Sequence, residues 1–299
     1  MASDESGKII DPYGGLHDLR KCILRHVTEA FLEDPLRILR GARFSAKLNF
    51  SIADETMAVM LEMVAKDQLA ELKEERVWSE FKRALATDQP LLFFKVLAEC
   101  GALSKLFPEF SPLFVMLFNE GSHSQDTRIL WLLNEKDKLK RDPELIFALI
   151  SRALFLYNLE NRELTSSQIS SFCDRLKVPK KFRTIAKRAS TFKLIKKEFR
   201  TQLGSKIIHL LDVVGGFKND RLFPKLLLLY AMELEAKQGT DTYVSAKELL
   251  EVKNAVDNMN KNDLIRQNLS GESFAEQLKI RKITLANDTL TLSSKPRAV

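Results

Sequence analysis

Apolar residues recur at spacings of three and four along most of this chain. Leu36, Leu39 and Phe44 form one set, followed by Met57, Met60, Leu61 and Val64, by Val77, Phe81 and Leu85, and by Leu92, Val96 and Leu97. That period marks amphipathic α-helices, each turning one face toward a core. The pattern breaks at Asn49-Phe50-Ser51, Thr87-Asp88-Gln89-Pro90, Gly101, Pro108 to Pro112, Arg141-Asp142-Pro143, Val178-Pro179 and Gly215-Gly216, where proline, glycine and short polar residues end helices. Past residue 12 no segment alternates as a strand. The periodicity predicts an all-α protein, an elongated array of roughly a dozen helices.

We expect a short strand-bearing start over residues 1–12, a neck over 13–100, a body over 101–180 and a tail over 181–285. Residues 286–299, which include Ser293-Ser294-Lys295-Pro296, show no apolar face and are expected to be disordered. Met57-Met60-Met63 and Phe93-Phe94 lie at helical spacing and read as core rather than as a ligand box.

Composition narrows the class. Hydrophobic residues make up 45% and charged residues 29% of 299 positions, the balance of a globular protein with one or two cores. The longest apolar stretch, around Leu226 to Met232, is far shorter than the roughly 20 residues a membrane helix needs. The polar, acidic start Met1-Ala2-Ser3-Asp4-Glu5-Ser6 is unlike a targeting peptide, so a cytoplasmic location is expected. Cys22, Cys100 and Cys173 are odd in number and widely spaced, which supports neither a disulfide framework nor a zinc site. The histidines are scattered, and no metal site is expected.

Net charge is +7, which suits a polyanionic partner. The cations concentrate in Lys180, Lys181, Arg183, Lys187, Arg188, Lys193, Lys196, Lys197 and Arg200, with Glu198 the one acid among them. Arg183 and Lys187, like Lys196 and Arg200, are at i,i+4 spacing, which can line one helix face with cations for an RNA backbone. A solvated helix face is the plain alternative.

The sharpest chemistry lies in Glu33-Asp34-Pro35-Leu36-Arg37-Ile38-Leu39-Arg40. Proline has no N–H to lose in the first turn of a helix, and an acid before it can cap the free amides. Arg37 follows Asp34 by three residues and Glu33 by four, and Arg40 follows Arg37 by three, so these side chains share one edge. A carboxylate only accepts hydrogen bonds and an arginine only donates. Cytosine and adenine present an amine donor beside a ring-nitrogen acceptor, whereas uracil and guanine present a carbonyl beside an N–H. A carboxylate–arginine pair therefore matches C and A, and each mismatched polar group with U or G costs about 1–3 kcal/mol. Capping plus surface ion pairing explains the same residues without a ligand.

The flanking residues carry a resemblance. Ile10-Asp11-Pro12-Tyr13-Gly14-Gly15-Leu16-His17-Asp18-Leu19, Ile23-Leu24-Arg25-His26-Val27, Ala30-Phe31 and Arg43-Phe44-Ser45-Ala46-Lys47 surround the template stretch in order. Glu75-Arg76-Val77-Trp78-Ser79-Glu80, Cys100-Gly101-Ala102-Leu103 and Leu106-Phe107-Pro108-Glu109 follow, and Leu269-Ser270-Gly271 and Leu278-Lys279-Ile280-Arg281 match a closing helix. This order resembles the bacterial class II CCA-adding tRNA nucleotidyltransferases. The resemblance implies that Arg37 and Arg40 bind incoming ATP or CTP, with Asp34 and Glu33 completing an amino-acid template. It also implies tRNA as partner, held by the basic tail, with no DNA and no membrane.

The family's nucleotidyltransferase sheet, with its Gly-Gly-x-Val-Arg-Asp turn and the Asp-x-Asp pair that holds Mg²⁺, has no match here, and no Asp-x-Asp occurs in the sequence. Gly7-Lys8-Ile9-Ile10 would be the sheet's last strand, and residues 1–12 a remnant of the catalytic head. No catalytic residue is therefore expected within these residues. We expect either an N-terminally truncated form or one piece of a split enzyme completed by a separate head fragment, silent on its own in both cases. Where multifunctional members carry a His-Asp metal doublet, this chain reads Ala148-Leu149-Ile150-Ser151-Arg152, and His17-Asp18 reads as an ordinary polar turn. A non-catalytic RNA-binding module and a poly(A) polymerase relative remain as alternatives. The polymerases share Glu-Asp-Pro-x-Arg-x-x-Arg, while Asp11-Pro12-Tyr13-Gly14-Gly15 and Glu75 to Glu80 favour the CCA-adding branch.

Overall fold

Several helices begin or end at a cap or a breaker that the sequence supplies. The computed structural model describes residues 2–3, 5–7, 9–120, 129–130, 132–158, 162–198, 202–218, 221–237, 240–260 and 271–293. In chain order its helices are α1 (Gly15–Arg20), α2 (Leu36–Leu48), α3 (Asp54–Ala65), α4 (Glu74–Leu85), α5 (Pro90–Glu99), α6 (Ala102–Leu106), α7 (Ser111–Glu120), α8 (Lys136–Leu139), α9 (Pro143–Tyr157), α10 (Arg162–Arg175) and α11 (Lys180–Ala189). They continue with α12 (Leu203–Val214), α13 (Phe223–Ala236), α14 (Ala246–Asp257) and α15 (Gly271–Ser293).

Asp142 caps α9 by accepting the amides of Glu144 and Leu145, and Ser245 with Glu248 forms a reciprocal capping box on α14, as such residues do at free helix N-termini. Asn49 closes α2 in the left-handed region, at φ 57°, a conformation asparagine tolerates better than most residues.

The chain divides into two compact units, Met1–Lys187 and Arg188–Val299. The residues assigned above to neck and body lie in the first, and the boundary falls within α11, seven residues past the expected one. In the first unit the core centres on Phe81, whose ring lies 4.9 Å from Phe107, 5.4 Å from Phe172, 5.7 Å from Trp78 and 5.9 Å from Phe94. Such pairs contribute about 0.5–1.5 kcal/mol each beyond their buried area. Met60 and Met63 are fully buried here, as their spacing suggested. Ala148, Leu149, Ile150, Ser151 and Arg152 are likewise buried, inside α9.

In the second unit α15 packs on α12 and α14. The Gly204 amide of α12 donates to Asn287 Oδ1 of α15 at 2.9 Å. The Tyr230 hydroxyl donates to the Val244 carbonyl at 2.8 Å and accepts the Ile195 amide at 3.3 Å.

Two expectations are corrected. Ile23–Leu24 and Ser51–Ile52 form a two-stranded parallel pair, too short for an alternation of period two to register in the sequence. A second pair joins Ala2–Ser3 and Ile9–Ile10 antiparallel. The segment expected to be disordered from residue 286 is helical to Ser293. Ala286 is fully buried, and the Thr289 and Thr291 hydroxyls bond back to the carbonyls of Leu285 and Asn287 at 2.7 and 2.9 Å. Residues 294–299 lie outside the described residues.

Candidate nucleotide and RNA site

A 3₁₀ turn, Glu29–Glu33, leads into Asp34 in extended conformation, and α2 follows Pro35. Asp34 Oδ1 accepts the Leu36 amide at 3.1 Å, so the acid caps the helix. Its other oxygen, Oδ2, accepts Arg76 Nη2 of α4 at 2.8 Å. Burial alone would raise the Asp34 pKa. The hydrogen bonds from Arg76 and the Leu36 amide, with the charges of Arg76 and Arg37, outweigh it and hold the carboxyl below the usual range.

Arg37 stands beside this carboxylate without bonding to it, and its Nη1 donates to the Ala30 carbonyl. Glu33 and Arg40 are exposed, and Arg40 forms no ion pair among the described residues. Asp34 bonds to Arg76 rather than to Arg37, the partner its i,i+3 spacing suggested. Sequence reading missed Arg76. Its only signal was membership of Glu75-Arg76-Val77-Trp78, because nothing local links residue 76 to residue 34.

A second tie between α2 and α4 lies lower down. Arg43 Nε donates to Glu80 Oε2 at 2.6 Å, both side chains being largely buried. The preceding loop is fixed in the same manner. Asp11 accepts the amides of Gly15 and Leu16 at 2.7 and 2.8 Å, and these bonds, that of Leu16 first, lower its pKa. Asp18 takes both Arg25 Nε and Nη2, at 2.8 and 3.1 Å, and this pairing lowers its pKa and raises that of Arg25. Arg25 also reaches Glu55, and His26 meets the Thr56 hydroxyl on α3 at 2.8 Å. His17-Asp18, read above as a polar turn, lies inside α1, with Asp18 committed to Arg25.

Several cations of the basic segment are paired with acids or carbonyls. Lys181 pairs with Glu144 at 2.6 Å and Arg183 with Asp174 at 2.6 Å in the first unit. In the second, Lys197 pairs with Glu248 at 2.9 Å, Lys196 with Glu198 at 3.4 Å, and Arg188 Nη1 donates to the Val214 carbonyl at 3.4 Å. Lys180, Lys187 and Lys193 are exposed, and Arg200 lies outside the described residues. Among the described residues no three His, Cys, Asp or Glu side chains are grouped to hold a metal, and no helix is long and apolar enough to cross a membrane.

The fold is shared with CCA-adding enzymes of known structure. The complex of a CCA-adding enzyme with CTP shares the fold at a TM-score of 0.59 and 19% identity, over 94% of this chain and 63% of that one. The Thermotoga maritima CCA-adding enzyme complexed with tRNA does so at 0.54 and 18%, over 95% and 68%. Residues 49–114 match the family model described as a probable RNA and SrmB-binding site of polymerase A.

The multifunctional CCA protein of Nitrosococcus oceani is 33% identical over 297 residues, covering 95% of this chain and 73% of that protein. That of Methylococcus capsulatus is 34% identical over 302 residues, covering 95% and 71%. The chain belongs to the family of these CCA proteins.

Proposed function

We propose that this chain selects nucleotides and holds tRNA for CCA addition, in the cytoplasm. The observation that carries this is the start of α2, where Asp34, fixed by Arg76, stands beside Arg37, with exposed Arg40 one turn beyond Arg37, in a chain of this family. Asp34 offers an acceptor and the arginines offer donors. Both belong to a rigid helix start, which suits reading a base edge by hydrogen bonds.

The test is equilibrium binding of CTP, ATP, UTP and GTP. CTP and ATP should bind more tightly by about 5- to 150-fold, the worth of 1–3 kcal/mol in unmatched polar groups. Equal binding of all four overturns the reading.

Transfer itself needs Mg²⁺ ions held by carboxylates to activate the attacking hydroxyl and stabilise the leaving oxygen. We propose that these come from a nucleotidyltransferase sheet outside residues 1–299. What supports this is an exposed apolar run at Ile9, Ile10, Tyr13, Leu19 and Val27, each at least 50% exposed, a density that marks an interaction surface. Mixed with tRNA lacking its 3′ end, CTP, ATP and Mg²⁺, residues 1–299 should incorporate nucleotides only with such a sheet present. Incorporation by the chain alone overturns this part. CMP addition separates this activity from poly(A) tailing.

A further inference from the structure

The exposed side of α2 carries more than the template edge. Phe44 lies seven residues from Arg37 and four from Arg40, so at 1.5 Å per residue its ring stands about 10 Å and about 6 Å farther along the axis, on nearly the same side. Lys47 follows, exposed, one turn on. The buried side of α2 belongs to Ile38, Leu39, Ala42, Ser45 and Ala46, and half-buried Phe44 stands apart from it.

The ring is backed by a fixed cation. The guanidinium of Arg43 lies 4.3 Å from the Phe44 centroid, and its Nε is tied to buried Glu80 at 2.6 Å. The Arg43 side chain is 13% exposed, so it covers the ring from the protein side. Leu-Arg-Ile-Leu-Arg-Gly-Ala-Arg-Phe-Ser-Ala-Lys-Leu, the whole of α2, contains Arg37, Arg40, Arg43 and Lys47 and no acid. A helix face with an aromatic ring, flanking cations and no carboxylate suits a polyanion that carries planar groups.

We propose that Phe44 is a stacking platform for an unpaired base near the 3′ end of RNA, with Arg40 and Lys47 meeting the flanking phosphates. This rests on the reading above, in which α2 selects the incoming nucleotide, and it names where the strand being extended lies. Unpaired RNA bases stack on aromatic side chains with little regard to sequence. At about 3.4 Å per base, the 10 Å between the levels of Arg37 and Phe44 spans roughly three stacked bases. A nucleotide chosen at Arg37 and the last bases of the strand fit that interval.

The experiment uses the full chain and acceptor-stem RNA hairpins with an unpaired 3′ end, each unpaired position in turn replaced by the fluorescent base 2-aminopurine. One position should be quenched on binding. Phe44→Ala should abolish that quenching and weaken binding about 5- to 150-fold, the usual range for one lost stacking contact, while leaving a blunt hairpin's binding in place. Phe44→Tyr, which keeps the ring, should retain both signals. RNA bound without quenching at any position, or equal weakening of blunt and unpaired hairpins, overturns the platform and leaves the nucleotide-selection reading standing. Failure of the chain to bind any RNA removes the platform and the tRNA-holding role together, while the four-nucleotide experiment still decides selection.

Discussion

Asp34 and Arg76 meet at 2.8 Å across 42 residues of sequence, Oδ2 accepting from Nη2. That bond pins the loop before α2 to the first turn of α4. It also fixes the ionised form of the acid, since a carboxylate held below its ordinary pKa is stabilised in its charged state. The stabilisation is fully present above the unfolded-state pKa and is lost as pH falls through the lowered folded value. In Arg76→Ala the largest hydrogen bond to Asp34 disappears and burial remains. Its pKa should rise, which a carboxyl-carbon NMR titration of Asp34 reads directly. An unchanged value would mean that the Leu36 amide alone sets it.

Arg37 differs from Arg76 in its partner, donating to the Ala30 carbonyl rather than to a carboxylate. A guanidinium has five N–H donors, so this bond leaves donors for a base. Arg37→Ala should weaken CTP and ATP binding by about 5- to 150-fold, the worth of unmatched polar groups, and tRNA binding far less. Equal loss of both in parallel titrations would make the arginine structural.

Glu80 gives a stability prediction. It is 7% exposed and takes Arg43 at 2.6 Å and Arg83 at 3.5 Å. Removing one partner of a buried pair strands the other charge at a cost of about 3–5 kcal/mol, whereas an exposed pair contributes about 0–1 kcal/mol. Arg83 is 63% exposed. Urea unfolding should therefore show Glu80→Ala far more destabilised than Arg83→Ala, and similar losses would contradict the assignment of Arg43 as the partner that matters.

The thiols should separate cleanly. Burial pushes Cys100 and Cys173 up to about 11, which leaves almost no thiolate at neutral pH. Cys22 is exposed. A disulfide-exchange reagent at neutral pH should modify one thiol per native chain, mapped to Cys22, and three after denaturation. Rapid native reaction at Cys100 or Cys173 would show that the core around them opens.

The helices from Leu36 onward were legible because their apolar positions repeat at the period of the fold, and Asp34 was legible as a cap because a cap acts within one turn. Arg76 was not, since its partner lies far away in sequence. The ion pairs of the basic run were hidden for the same reason. Lys181 and Lys197 look free in a basic run, but Glu144 and Glu248 reach them from other helices. The polar end of α15 was read as disorder because its threonines have no apolar period, while their hydroxyls bond back along the helix.

Gly204 offers the sharpest test of the second unit. Glycine inside a helix ordinarily costs stability, and replacing it by alanine gains about 0.5–1 kcal/mol. Here a Cβ would lie 2.5 Å from Asn287 Oδ1 and 2.7 Å from the Ile283 carbonyl oxygen. The second of these is backbone and cannot rotate away. Gly204→Ala should then force α12 and α15 apart and destabilise the chain by about 1–3 kcal/mol, as overpacking does. Asn287→Ala removes the side-chain clash and the bond to the Gly204 amide, but not the carbonyl, so combining it with Gly204→Ala should recover only part of the loss. Chemical denaturation of the three variants decides the matter, and a stabilised Gly204→Ala would mean that the two helices do not approach this closely.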